Sequence, residues 1–458
     1  MNRKPVFSQQ ILLAAIFLFC VVVLLAGCSA GQGSGQTPSV PTPASAHLAS
    51  QTPLPSTSAP ITGQTQPAEE PGPSPVSPTH PTAGPSATPQ AAASPPPATL
   101  APTQAPTAAL VITPPAHPIQ LPPGFAITVY AQGLDDPRMM TLGPDGQLYV
   151  AERGANRIIR LPDRNQDGVA DSLEVVADGL NAPSSLAFYK DGSLYVGETT
   201  QVLRLSGPDQ QGVFQKRETI IEGLPSGGHS TRTVLFSPDW STLFVSIGSS
   251  CNVCQEQDQR RATIMRYDPD GSNGSIYASG LRNAVGITFR PGTNELWATN
   301  NGRDRMGDNQ PPDTINLVQA GEDFGWPRCH AGKLPDPEFG GQNACAGVAQ
   351  PAVDLQAHSA PLGLAFYDGT QFPEAYRGDL FVAYHGSWNR SVPTGYKLVR
   401  IPMKDGSPGA PQDFATGWLL DDGSDWGRPV DPLVGPDGSL FLSNDAGGVI
   451  YRIFYTGP

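Results

Sequence analysis

GPDGQLYV, at residues 143–150, begins a pattern that recurs five more times along the chain. Each copy has a turn rich in Pro, Asp or Gly, followed by Leu, an aromatic residue and a further apolar residue. The other copies lie at residues 190–196, 237–245, 290–298, 377–382 and 435–442. Because Pro, Asp and Gly favour tight turns and short apolar runs favour strands, each copy predicts a β-hairpin.

The leucines of the six copies, at positions 148, 194, 243, 296, 380 and 440, are 46, 49, 53, 84 and 60 residues apart. Such a period is typical of one four-stranded propeller blade. We therefore predict an all-β fold, a six-bladed β-propeller. A seventh blade within the 84-residue interval is the alternative, but its two cysteines and its prolines favour a loop insertion.

The ends of the repeat region predict how the ring closes. In the first repeat, residues 139–142, 148–152, 157–161 and 173–177 form four strands, whereas the sixth repeat supplies three and ends with residues 448–455. The apolar segment 125–130 can provide the missing outer strand. Pairing the two ends of the domain would leave the sheet without an open edge.

The segment before the propeller has the pattern of an export signal. Arg3 and Lys4 precede an apolar run at residues 11–26, which ends in Leu-Ala-Gly-Cys at residues 25–28. This order resembles the lipobox of bacterial lipoproteins. We predict a signal peptide at 1–27, lipidation of Cys28, and an exported protein anchored by lipid to the extracytoplasmic face of the cell membrane. An uncleaved anchor is the alternative.

Residues 28–117 consist almost entirely of Pro, Ala, Thr, Ser, Gln and Gly. Such a composition buries too little apolar surface to offset the entropy of ordering, so we predict a disordered, proline-stiffened tether. The propeller domain is then residues 118–458. The net charge of −13 and the lack of a long basic run argue against nucleic acid as a partner.

In an up-and-down blade, the loops between the second and third strands (B–C loops) share one face with the loops that lead into the next blade (D–A loops). These loops are rich in arginine and histidine in an otherwise acidic chain, which predicts an anion-binding site at one mouth of the ring. They contain Arg138, Arg153, His229, Arg232, Arg282, Arg303, Arg305, His358, His385, Arg390 and Arg428.

Four phrases resemble the quinoprotein glucose and sorbosone dehydrogenases, most closely the sorbosone and pyranose dehydrogenase-like branch. They lie at residues 223–229, 280–286, 315–327 and 376–382. The resemblance implies a membrane-tethered enzyme that oxidises a sugar or polyol with pyrroloquinoline quinone (PQQ) and calcium. It implies His229 as the catalytic base and cofactor contacts from Arg232, Arg282, Asn283, Arg303, His385, Arg390 and Arg428.

Calcium is predicted at two places. The resemblance implies that the backbone of Gly302 and Arg303 binds an active-site ion. Independently, a twelve-residue calcium-loop pattern begins at residue 163 and predicts a structural ion on the opposite face. Its ligands would be Asp163, Asn165, Asp167, Val169, Asp171 and Glu174. An acidic turn without metal is the alternative.

The four cysteines of the propeller domain predict two local disulfides in an oxidising compartment, Cys251–Cys254 and Cys329–Cys345. A zinc site formed by these cysteines with His330 and a redox-active Cys251–Cys254 pair are the alternatives.

Two other functions fit the same architecture. A calcium-dependent lactonase or hydrolase would need a cluster of carboxylates in the central channel. A propeller without cofactor could bind carbohydrate or protein at the surface.

Overall fold

A computed structural model describes residues 109–457. Its sheets confirm the predicted propeller, with six four-stranded antiparallel sheets arranged as six blades. The closing strand β1 is Phe125–Gln132. Blade 1 contains β2 (Pro137–Leu142), β3 (Leu148–Glu152), β4 (Arg157–Leu161) and β5 (Glu174–Ala177). Blade 2 contains β6 (Ser185–Phe188), β7 (Leu194–Gly197), β8 (Val202–Pro208) and β9 (Phe214–Ile221). Blade 3 contains β10 (Arg232–Phe236), β11 (Leu243–Ile247), β12 (Thr263–Tyr267) and β13 (Ser275–Ser279).

Blade 4 contains β14 (Ile287–Phe289), β15 (Leu296–Asn300), β16 (Thr314–Val318) and β19 (Val353–Asp354), with the hairpin β17 (Cys329–His330) and β18 (Leu334–Pro335) inserted before β19. Blade 5 contains β20 (Pro361–Phe366), β21 (Leu380–Tyr384), β22 (Lys397–Ile401) and β25 (Gln412–Ala415), with the hairpin β23 (Met403–Lys404) and β24 (Ser407–Pro408). A short 3-10 helix spans Glu374–Tyr376. Blade 6 contains β26 (Pro429–Val434), β27 (Leu440–Asn444) and β28 (Val449–Tyr455).

The ring is closed by its two ends, as predicted. β1 pairs antiparallel with β28 from Phe125 opposite Tyr455 to Gln132 opposite Val449, with one irregularity after Val129. It thereby becomes the outer strand of blade 6. The innermost strands of successive blades contact one another around the ring, and β26 returns to β2.

The second strand of each blade contains the Leu-aromatic-apolar pattern by which the repeat was recognised. The burial of these strands explains why the pattern is apolar. All residues of β3, β11, β21 and β27 are buried. Each blade packs against a neighbour on both faces, so these strands read as continuous apolar runs rather than as alternating ones.

The long interval between the fourth and fifth repeats is an insertion and not a blade. It contains the two-stranded β17–β18 hairpin and the Cys329–Cys345 disulfide. Cys251 and Cys254 are also bonded. Both predicted disulfides are thus confirmed, and a zinc site built from the four cysteines is wrong because their sulfurs are used in these bonds.

The chain contacts the propeller before residue 118. The backbone N–H of Val111 donates to the carbonyl of Asp167 at 2.8 Å, and that of Val129 donates to the carbonyl of Thr113 at 2.7 Å. The predicted signal peptide, the lipidation site Cys28 and the tether up to residue 108 lie outside the described residues. Within residues 109–457 there is no helix long and apolar enough to cross a membrane.

A substitution of Phe125 tests how much the closure of the ring by β1 contributes to stability. Its ring lies 4.8 to 5.1 Å from the rings of Phe372, Tyr376, Phe414 and Tyr455, so it joins the closing strand to blade 5. We expect Phe125→Ala to lower the free energy of unfolding by about 2 to 3 kcal/mol, because it leaves a cavity at the seam. Urea unfolding measures this. The control Ile276→Ala, on the outer strand of blade 3, should change it by less than about 0.5 kcal/mol; equal effects would contradict the role of the seam.

Candidate functional site

Loops from distant parts of the chain meet at one mouth of the ring. Arg153, in the B–C loop of blade 1, donates to the Ser230 hydroxyl before blade 3 at 2.9 Å. Arg138, near the start of β2, forms an ion pair with Asp445 of blade 6. The D–A and B–C loops therefore do share a face, and they enclose two cavities there.

His229 lines both cavities, each about 370 Å³ in volume. The first cavity is lined chiefly by Asp136, Arg138, Arg153, His229, Asn283 and Asp445. The second cavity is lined chiefly by His229, Cys251, Arg282, Asp304, Arg305 and Trp388. The histidine that the resemblance implied as a base thus occupies the border between two polar chambers.

The hydrogen bonds of His229 assign its tautomer. Its Nδ1 lies 3.0 Å from both the carbonyl oxygen and the hydroxyl oxygen of Ser249. A carbonyl can only accept, and the Ser249 hydroxyl already donates to the carbonyl of Cys251 at 2.6 Å, so Nδ1 carries the proton. Nε2 therefore has the free lone pair, and among the described residues it has no hydrogen-bond partner.

Two buried arginines lie under the His229 loop and form no ion pair with any carboxylate of residues 109–457. Arg232 is fully buried and donates to the carbonyls of His229 and Thr231, at 3.0 and 2.7 Å. Arg261 is also buried and donates to the carbonyl of Gly248 at 3.2 Å. The predicted cofactor contact Arg232 thus supports the loop from below and lines neither cavity.

This environment keeps His229 neutral. Burial, together with the positive charges of Arg282, Arg261 and Arg232, lowers the pKa of His229 to about 4. Because the shift is downward, the neutral, proton-accepting ring predominates at every pH above about 4. A neutral imidazole with a free Nε2 is the form that a general base requires.

Arg282 is held by a loop that the Cys251–Cys254 disulfide closes. The guanidinium of Arg282 donates to the backbone and side-chain oxygens of Asn252, both at 3.0 Å, and to Asp304 at 2.8 Å. The Asn252 side chain also bonds both backbone groups of Asp304, at 2.8 and 3.0 Å. Asn252, which sequence reasoning missed, therefore fixes the predicted cofactor arginine at the edge of the second cavity.

The first cavity has the donors for an anionic ligand. Burial, and next the charge of Arg138, lower the pKa of Arg153. Arg138 Nε is buried and has no partner in the described part of the chain, while its Nη1 pairs with Asp445. Arg138 and Arg153 line this chamber together with the carboxylates of Asp136 and Asp445. Asn283 contributes an amide to the same chamber.

His385 supports this chamber from behind. Its Nε2 lies 2.8 Å from the Asp445 carboxylate that also pairs with Arg138. Burial lowers the pKa of His385, and the hydrogen bond to Asp445 partly opposes that shift. His385 thus acts on the cavity through Asp445.

Three predicted cofactor arginines point elsewhere. Arg303 is buried in ion pairs with Asp336 and Glu338 of the blade 4 insertion. Arg390 donates to backbone carbonyls of neighbouring loops. Arg428 pairs with Asp425 at 3.1 Å and lies over the ring of Tyr396.

Most arginines of this mouth therefore have a carboxylate partner. Asp304, Asp425 and Asp445 come from the same loops as the arginines, so the mouth is less positive than the arginine pattern alone predicts. In the sequence, these aspartates alternate with the arginines of the same loops, and this alternation could have predicted that the arginines are paired. Among the described residues, Arg232 and Arg261, beneath His229, are arginines without a direct ion pair.

Two of the predicted calcium ligands contact protein groups. Glu174 is paired with Arg160 and Arg164, both at 2.6 Å. The Asp163 carboxylate accepts the N–H groups of Asp167 and Gly168, at 3.1 and 2.9 Å, as in an acidic turn. The only group of three metal-binding side chains found in residues 109–457 is Cys251, Cys254 and Glu256, and its two cysteines are bonded to each other.

The loop at Gly302 is likewise occupied by protein contacts. Its N–H donates to the fully buried carboxylate of Asp313 at 2.8 Å, and the other oxygen of Asp313 accepts from Ala360 at 2.9 Å. Burial raises the pKa of Asp313 to about 6. This carboxylate joins the Gly302 loop to the start of blade 5.

Comparison with known proteins identifies the family of the chain. A model of the TrAA12-like family matches residues 119–456. The chain belongs to the TrAA12-like family. An uncharacterised protein of Borreliella burgdorferi is 30% identical over 346 residues, which cover 74% of this chain and 91% of the relative.

Relatives of the TrAA12-like chain that have an assigned activity are PQQ-dependent sugar dehydrogenases, which confirms the predicted resemblance. The PQQ-dependent pyranose dehydrogenase of Coprinopsis cinerea is 27% identical, over 74% of this chain and 55% of the relative. The chain thus spans about half the length of that enzyme. The holo form of its PQQ domain superposes with a TM-score of 0.64 at 25% identity, over 74% of this chain and 98% of that domain.

The state of His229 can be measured by NMR. We expect its imidazole nitrogens to titrate with a midpoint near pH 4, against about 6.5 for an unperturbed histidine. Arg261→Met should raise the midpoint because it removes a nearby positive charge. Arg266→Met, an exposed position of the strand β12 that follows Arg261, is the control and should leave the midpoint unchanged. A midpoint above 6 would contradict the assigned environment.

Proposed function

We propose that the chain is a membrane-tethered quinoprotein that oxidises a sugar or polyol, with PQQ as its cofactor and His229 as the base. One observation carries this proposal. A neutral His229, with Nδ1–H fixed by Ser249 and Nε2 free, borders a cavity that also presents Arg138, Arg153 and Asn283. Membership of a family whose characterised members are PQQ-dependent sugar dehydrogenases supports it.

The first cavity suits a ligand with several carboxylates. PQQ carries three, and Arg138 and Arg153 can bind carboxylates while Asn283 donates from its amide. When bound, PQQ supplies an ortho-quinone that accepts a hydride. The uncompensated charges of Arg232 and Arg261 favour an anion in this place.

His229 performs the proton step. Nε2 removes the proton from the C1 hydroxyl of the sugar as the C1 hydrogen leaves with its electron pair, so the alcohol carbon becomes a carbonyl. Ser249 holds the ring during this transfer and accepts the hydrogen bond from Nδ1–H. The electrons then pass to an external acceptor, and the imidazolium returns its proton to solvent.

The proposed mechanism of sugar oxidation assigns no step to calcium. Of the predicted ligands, Glu174 is paired with arginines and the Asp163 carboxylate accepts backbone N–H groups. Assays with added calcium and with a chelator decide whether activity depends on an ion.

The rival functions predict different outcomes. A lactonase would need a carboxylate cluster. The buried carboxylates Asp313 and Asp431 are instead engaged by backbone N–H groups, Asp313 by those of Gly302 and Ala360 and Asp431 by that of Met140. A binding propeller would take up sugar without PQQ-dependent turnover. Both are excluded if turnover of a sugar requires PQQ.

We expect the purified chain to bind PQQ in a titration followed by absorbance and to reduce a dye in the presence of aldoses. His229→Gln should lower kcat by about 100- to 10,000-fold, because it removes the base, and should leave PQQ affinity within about threefold. The acid limb of kcat/KM should have its midpoint near pH 4, since protonation of His229 at lower pH removes the lone pair.

Arg138→Leu separates cofactor binding from catalysis. Loss of a charged donor should weaken PQQ binding by about 10- to 100-fold. Arg204→Leu is the control, since this arginine pairs with Asp191 on the opposite face. No PQQ binding by the unmodified chain would overturn the proposed function, and full turnover by His229→Gln would remove His229 as the base.

We also propose that the protein is exported and anchored to the extracytoplasmic face of the membrane through lipid on Cys28. The support is the Leu-Ala-Gly-Cys order at residues 25–28, directly after the apolar run. Cys28→Ala should move the protein from the membrane fraction to the soluble or precursor fraction, and mass spectrometry should find a diacylated Cys28 as the mature N-terminus. An intact N-terminus without lipid would contradict the anchor.

A further inference from the structure

Trp388 is a large aromatic residue exposed at the second cavity. It lines that cavity together with His229, and its side chain is 65% exposed. Exposing an indole to water is unfavourable, and a tryptophan at the mouth of a polar cavity is a common ligand contact.

The loop that carries Trp388 is fixed on both sides of it. Gly386, at φ +111°, lies directly against the ring of Tyr396, where a Cβ would lie 2.3 Å from that ring. Ser387 exchanges hydrogen bonds with Thr394 at 2.8 and 2.9 Å. Asn389 donates to Asp304 at 3.0 Å. The exposed position of Trp388 is therefore set by ordered neighbours.

Polar groups surround the indole. The guanidinium of Arg305 lies 5.8 Å from the ring centre, and Arg305 adopts φ +67°, a left-handed conformation that is unfavourable for a residue with a side chain. Each Asp304 oxygen accepts one protein hydrogen bond, from Asn389 or Arg282, which leaves the carboxylate able to accept more.

This combination matches a pyranose. A sugar ring has an apolar face of C–H groups and a rim of hydroxyls that both donate and accept. The indole face of Trp388 complements the apolar face. Arg305 can donate to the rim, and Asp304 can accept from it.

We propose that the second cavity binds the saccharide, with Trp388 as the platform against which a pyranose ring stacks. This inference rests on the proposed function, because it places the sugar in the second cavity and the anionic cofactor in the first, and the two cavities adjoin at His229. Trp388 is then a substrate-binding residue, and Arg305 and Asp304 position the hydroxyls.

The kinetic test uses the aldose with the highest turnover and cellobiose as a longer probe. Trp388→Ala should raise KM for the sugar by roughly 3- to 10-fold, as expected for the loss of one stacking contact. The value of kcat should stay within about twofold, and PQQ affinity should not change. Trp388→Phe should restore part of the lost affinity.

A second readout needs neither cofactor nor turnover. Acrylamide quenches exposed tryptophan fluorescence, and saturating cellobiose should protect the unmodified chain from quenching. Trp388→Phe should abolish this protection. Trp240→Phe is the matched control. Trp240 is 36% exposed and lies on the opposite face, in the turn that follows β10. This substitution should leave the protection by cellobiose intact.

The outcomes separate the two proposals. If the unmodified chain binds PQQ and oxidises sugar but Trp388→Ala leaves KM and quenching unchanged, the saccharide platform is wrong and the proposed function stands. If only the KM for the electron acceptor changes, Trp388 contacts the acceptor and the inference is also overturned. Protection by cellobiose without PQQ binding would support Trp388 as the saccharide platform and overturn the proposed PQQ-dependent sugar oxidation.

Discussion

The pairing of β1 with β28 is the constraint on which the rest of the structure depends. It joins Phe125–Gln132 to Val449–Tyr455 and completes blade 6, so that β26 can pack beside β2. Only a closed ring brings the loops of blades 1 and 6 together. The ion pair between Arg138 and Asp445 crosses this seam, so the first cavity exists only if the ring closes.

The arginines at the mouth of the ring fall into two electrostatic classes. Carboxylates neutralise Arg282 and Arg428, whereas Arg232 and Arg261 lie buried below His229 with only carbonyl partners. A buried positive charge without a counter-ion is costly, and a bound anion would reduce that cost. Burial, and after it the charges of Arg282, Arg261 and Arg232, hold His229 neutral. One arrangement thus favours both an anionic cofactor and a histidine that can accept a proton.

Much of the fold and part of the site could be predicted from local sequence. Strands β3 and β4 begin and end where the turn and apolar pattern placed them, and segment 125–130 does close the ring. Arg303 and Arg390 were predicted as cofactor contacts but line neither cavity. The position of a residue in a loop tells on which face of the ring it lies, but not in which direction its side chain points. Arg138 and Arg153 were placed at the predicted anion-binding mouth but given no cofactor contact, and Asn252 was missed, because no local pattern distinguishes them from solvated polar groups of loops.

The sequence by itself determined the propeller, the number of its blades, its closing strand, its disulfides and its family, since contiguous repeats and short motifs encode them. The tertiary structure alone decided which arginines line a cavity, which nitrogen of His229 is free, and that Trp388 shares a chamber with it. Those features depend on contacts between loops that lie far apart in the chain, such as Arg138 and Asp445, 307 residues apart. Side-chain direction and pairing arise only when the ring brings such loops together.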